Sequence, residues 1–135
     1  MTNKQHALVG NILATLSFLM TAYTTLSLNL NSADTVVSSA FTVGIFIGLS
    51  FNFILHVLTW IAYVRIGETG DKGWKIFLLV IAIIWILGAV FGILGGFIMG
   101  VGGIELLGAL SQLAGSIFFI IAFALKPQNI TISNG

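Results

Sequence analysis

Four apolar runs, about Ala7–Leu30, Val36–Val64, Trp74–Met99 and Ile104–Leu125, take up most of this chain of 135 residues. Each reaches or exceeds the roughly 20 residues needed to cross the hydrocarbon core of a bilayer. Lipid offers no water to the backbone, so an uninterrupted apolar segment of this length must bond its N–H and C=O groups internally, as an α-helix. The expected fold is therefore an all-α membrane protein with four transmembrane helices. The second run is long enough to need tilt, or an end that projects past the core. The single proline, Pro127, follows the last run, so no span carries a proline kink. The first run follows Lys4 and resembles a secretory signal, but it is long for one and has no small-x-small cleavage site. It reads as an uncleaved span.

The links are short. Residues 31–35 join the first pair of spans and offer Asp34 or Thr35 as a helix cap. Gly67–Gly73 joins the middle pair, and Gly100-Val101-Gly102-Gly103 turns the third span back into the fourth. Links of this length make neighbouring helices antiparallel, giving an up-down-up-down bundle. The chain reads as one integral membrane domain, 1–135, ending in a short polar tail over 126–135.

Charge supplies the orientation. All 5 basic residues, Lys4, Arg65, Lys72, Lys75 and Lys126, fall on one side of this arrangement. The excess of Lys and Arg on cytoplasmic loops then places both termini and the Gly67–Gly73 loop in the cytoplasm, N-in and C-in. Trp60, Tyr63 and Trp74 gather at the same side, as interfacial aromatics do. A glycosylation sequon at Asn129-Ile130-Thr131 carries no weight on that side. The expected location is the cell (cytoplasmic) membrane. A net charge of +1 argues against nucleic-acid partners, and the absence of cysteine excludes disulfides, thiolate chemistry and zinc sites built on Cys.

Within the spans, small residues recur at helical spacing. Gly88, Gly92, Gly96 and Gly100 follow one another every four residues, and Ala40, Gly44, Gly48, Asn52 and His56 make a matching series in the second span. On an α-helix that step keeps a stripe near one face, and side-chain-free stripes let helices approach closely. The glycine zipper of the third span is read first as an internal seam with a neighbouring helix. Assembly into an oligomer is the other reading.

The polar candidates are few. Asn52 and His56 continue the second-span stripe, and they are expected to face the bundle interior because an unpaired polar group facing lipid is costly. His56 is read as a hydrogen-bonded structural residue, or else as a proton-sensitive or ligand site. Glu105 is the only carboxylate in an apolar run, with Gly108, Gln112 and Gly115 or Ser116 below it at helical spacing. Its place in the first turn suits the helix dipole, and an ion or substrate role is the alternative. The first span carries Asn11, Thr15, Ser17, Thr21, Thr24, Thr25 and Ser27. Only Asn11 and Thr15 are read as sharing a face. No nucleophile elbow or oriented acid is present, so catalytic residues, cofactors and metals are not expected.

The His56-Val-Leu-Thr-Trp60 segment, the short basic loop through Lys75 and the glycine-rich last two spans resemble the small four-helix hydrophobic proteins of Gram-positive bacteria. The resemblance implies the four-span layout and brings no catalytic residue. The first expectation for function is a non-enzymatic accessory, regulatory or immunity-type subunit acting by helix–helix contact with itself or another membrane protein. The alternative is a homo-oligomeric channel or small-solute transporter using Asn52, His56, Glu105 and Gln112. A membrane-permeabilising toxin is a lesser alternative.

Overall fold

The computed structural model describes residues 2–31, 38–100 and 102–124. They form four helices, α1 (Asn3–Asn31), α2 (Ser38–Arg65), α3 (Lys72–Met99) and α4 (Gly103–Ala124), with no strand among the described residues. All four are long and apolar enough to cross a membrane. The first-link cap at Asp34 or Thr35, the side chain of Ala40, Lys126 and the polar tail lie outside the described residues.

The helices form a ring in which α1 touches α2 and α4, and α3 touches α4 and α2. The α1–α4 contact is the most extensive and the α2–α3 contact the slightest. Small residues explain the first. A Cβ built on Gly115 of α4 would lie 2.9 Å from the Gly10 carbonyl oxygen and 3.1 Å from the Ala14 nitrogen of α1. A Cβ on Gly10 would lie 2.6 Å from the Phe119 ring. Helix backbones meet here with no side chain between them, the close approach that drives helix association in lipid. Ala7, Ala14 and Ala122 are buried along the same seam, and Asn3 Nδ2 donates to the Ala122 carbonyl at 2.9 Å.

This corrects the expected seam. Gly44, Gly48 and Gly88 have no atom of another helix within 4 Å of where a Cβ would stand, so they close nothing inside the chain. Gly92 touches α4 at ordinary distance, 3.6 Å from Ala109 Cβ, and Gly96 is half-buried. Gly100 terminates α3: it takes the left-handed conformation, φ 65°, and donates its N–H to the Gly96 carbonyl. That conformation is open to glycine at no steric cost and is the usual way a helix ends. Spacing alone does not decide which faces meet; bulk and polarity elsewhere do. The buried residues of α3 are Leu78, Ile81, Ala82, Trp85 and Ala89, and those of α2 whose burial is described are His56, Thr59 and Ala62.

Lys4, Arg65, Lys72 and Lys75 all fall at one end, hereafter the basic end. Lys4 Nζ sits over the Tyr63 ring at 5.6 Å, and Asp71 closes the loop by pairing with Lys75 at 2.7 Å and accepting the Gly67 N–H at 2.9 Å. At the opposite end Gly100 closes α3 and Gly103 opens α4, and no basic residue stands there among the described residues.

Candidate functional site

The two halves of the bundle are filled differently. Toward the basic end the interior is solid, with Phe119, Leu78, Asn11, Thr59 and Ser116 fully buried. Most of its polar groups spend their hydrogens on backbone carbonyls. Asn11 Nδ2 lies 3.0 Å from the Ala7 carbonyl and 3.3 Å from that of Thr59 across on α2. Thr59 donates to His56 O at 2.8 Å. Trp60 Nε1 donates to the Thr15 hydroxyl at 3.1 Å. Asn11 Oδ1 is buried with no partner.

His56 caps this packed half. Its Nδ1 is 2.8 Å from the Asn52 carbonyl, one turn back, and its Nε2 is 3.0 Å from the Ala14 carbonyl of α1. A neutral imidazole donates to only one of them. The ring is stacked on Trp85, centroids 4.6 Å apart, and lies against Phe18 at 4.9 Å. Three helices thus meet on one side chain. No ion pair joins it to Glu105 among the described residues.

Above this layer the helices part around a cleft of about 500 Å³. All four helices line it: Ser17, Phe18, Thr21, Thr24 and Thr25 from α1, Asn52 from α2, Ile84, Trp85, Gly88, Ala89 and Gly92 from α3, and Glu105, Ala109 and Gln112 from α4. A second hollow of about 550 Å³ adjoins it toward the glycine turn, with Thr24 and Glu105 in both walls and Tyr23, Ser27 and Gly102–Ile104 completing it. Glu105 therefore stands between an outer mouth and an inner cleft. Three of the four polar residues singled out in the sequence, Asn52, Glu105 and Gln112, come together here. The fourth, His56, lies beneath, behind Trp85.

The glycines have a use in this arrangement. Gly88 and Gly92 are walls of the cleft, and the space beside Gly88 is open. The expectation that only Asn11 and Thr15 share a face of α1 is overturned, because four further hydroxyls line the cleft together. Ser17, Thr21, Thr24 and Thr25 stand at i, i+4, i+7 and i+8, which is one helical face; the flanking Thr15 and Ser27 obscured the pattern. Gly10 was missed too, because its only signal is a smallness that matters through Phe119 on a helix over a hundred residues away.

Energetically the cleft is not inert. Asn52 Oδ1 is buried without a hydrogen-bond partner, a state that costs about 1–3 kcal/mol. The place of Glu105 in the first turn of α4 gains about 0.3–1 kcal/mol from the helix dipole. The hydroxyl of Thr24, in the wall of both hollows with Glu105, adds a polar neighbour to that contribution. No family model, curated protein or solved structure matches the chain.

Proposed function

We propose that this multi-pass membrane protein binds a small solute in the four-helix cleft and carries it across the bilayer, without covalent chemistry. The convergence of Asn52, Glu105 and Gln112, from two helices separate in sequence, on one cleft of about 500 Å³ carries the reading. That volume lies within the range of small-molecule sites, about 300–1,000 Å³. The mixture is also typical of such sites, a mainly apolar wall with a few polar groups that fix orientation. The orientation that the basic residues favour puts both termini in the cytoplasm and the mouth at Glu105 on the outer face. The packed layer of His56, Trp85 and Phe119 then closes the cytoplasmic side. A site open to one face and shut to the other suits a carrier better than an open pore.

The test is flux through liposomes holding the purified full-length chain, measured across a panel of small solutes. Glu105→Gln and Gln112→Ala should each lower the flux at least several-fold while the protein still folds. A chain that moves nothing above empty liposomes, or variants as active as the parent, would end this reading.

A second reading keeps an observation of its own. Gly44 and Gly48 share a face of α2, are exposed and meet nothing within the chain, so that face is free to receive a helix of a second copy or of another membrane protein. Gly44→Leu with Gly48→Leu should then abolish cross-linked oligomers or co-purified partners while leaving the monomer's melting temperature unchanged.

A further inference from the structure

We infer that the cleft takes a small organic cation, an ammonium group on a compact apolar body. The inference rests on the solute-binding reading above and adds the chemical class. Across the cleft and the mouth beside it, Glu105 is the only acidic side chain, and no Lys, Arg or His is among the lining residues. The electrostatic preference is therefore one-sided, and the low-dielectric walls around it strengthen the attraction of a single cation.

Two hydroxyls beside Glu105 agree. The Thr24 hydroxyl turns its hydrogen back to the Met20 and Thr21 carbonyls, at 3.2 and 3.1 Å, and Ser27 donates to the Thr24 carbonyl at 3.0 Å. A hydroxyl so engaged offers only lone pairs to a ligand. Around Glu105 the cleft thus presents oxygen acceptors suited to N–H donors. Its deeper wall is aromatic and aliphatic, with Trp85, Phe18 and Ile84. Indole and phenyl faces attract cations, most strongly out of water, and the space beside Gly88 leaves room for an apolar body. A divalent metal ion fits poorly. Hard cations of that kind gather six or more oxygen ligands, and no three His, Asp or Glu side chains come together among the described residues.

The experiment uses the full-length chain in nanodiscs and three matched probes: 2-phenylethylammonium, 2-phenylethanol and phenylacetate. Binding is read by calorimetry and by the fluorescence of Trp85 in a Trp60→Phe, Trp74→Phe background. Gly88→Leu is the blocking variant. It fills the cleft from a position where a Cβ meets no other helix, and a thermal melt checks that it folds. It also corrects for partition of the probes into lipid.

Saturable binding of the ammonium probe is expected, at least tenfold tighter than the alcohol, with none for the carboxylate. Glu105→Gln should weaken it at least tenfold and Gly88→Leu should remove it. Binding of the alcohol or carboxylate as tight as the amine, or an undiminished Glu105→Gln, with Gly88→Leu still blocking, would overturn the cation assignment and leave the cleft as a binding site. If no probe distinguishes the parent from Gly88→Leu, the cation assignment and the solute-binding reading fall together.

Discussion

At the scale of single residues, glycines that look alike in the sequence have opposite duties. Gly115 is irreplaceable by packing, because a methyl there would stand 2.9 Å from a backbone oxygen that cannot swing aside. Gly115→Ala should cost about 1–3 kcal/mol, the usual penalty for overfilling a packed interior. Gly88→Ala meets nothing and should be neutral, or stabilising by up to about 1 kcal/mol through helix propensity. Unfolding of the two variants in mixed micelles against denaturing detergent measures both. Equal losses would mean that α3, too, is tightly packed at its glycines. The two polar residues most conspicuous in the sequence divide in the same way. His56 bridges α1, α2 and α3, so His56→Ala should lower stability by about 2–4 kcal/mol through the cavity and the lost bonds. Glu105→Gln keeps shape and hydrogen-bonding capacity and should change stability by less than about 0.5 kcal/mol. The same unfolding experiment separates them. The sequence already held both options for His56, since hydrogen bonding to a neighbouring helix was one of them. Which carbonyl it meets, Ala14 of α1, depends on a helix crossing that no local pattern encodes.

At the scale of elements, helix identity was legible and helix pairing was not. The four apolar runs match α1 to α4 to within a few residues, because length and hydropathy alone decide whether a backbone must be helical in lipid. The pairing of α1 with α4 depends on Gly10, Ala14, Gly115 and Phe119 fitting one another, a property of two surfaces together. The α2–α3 loop offers an element-scale test. The ammonium of Lys75 and the Gly67 amide, both bonded to the Asp71 carboxylate, hold its pKa below the ordinary value. A carboxyl group depressed in the folded state contributes stability that is fully present above its unfolded pKa, about 4, and is lost as pH falls through the lower folded value. The loop and the first turn of α3 should therefore loosen below about pH 4 and not on the alkaline side of neutrality. Hydrogen exchange of residues 67–75 should accelerate there in the parent, while Asp71→Asn should exchange fast already at neutral pH and respond little to acid. An acid response that survives in Asp71→Asn would assign the effect to another group. The Arg65–Glu68 pair at 3.0 Å is exposed on both sides and should add little, since such pairs contribute about 0–1 kcal/mol.

At the scale of the whole molecule, the bundle is asymmetric along its axis, and this asymmetry is what connects fold to proposed function. The basic half is solid because α2 joins it through His56, Thr59 and Ala62, with Ile66 just past its end. The other half is hollow because no buried α2 residue lies before His56 among those described. Composition anticipated four helices long and apolar enough to span a membrane, but the hollow is an absence of contact that only the assembled helices reveal. The native chain has no cysteine, so single cysteines can map it without background. Placed at Gly88, Gln112 or Asn52, a cysteine should react with a membrane-impermeant maleimide, because these positions line the cleft and thiols react appreciably only where water lets the thiolate form. Placed at Ile83 or Leu87, which are exposed on α3 but are not among the residues lining the cleft, it should face lipid and stay unreactive. The proposed orientation adds a directional demand. In sealed cells, reagent outside should reach Gly88→Cys and Gly102→Cys, while Thr69→Cys in the basic loop should react only after the membrane is opened. Reaction at Thr69 and none at Gly102 would invert the orientation yet keep the cleft. Uniform silence at Gly88, Asn52 and Gln112 from either side would mean that the hollow is dry, and a dry hollow cannot pass a solute that arrives in water.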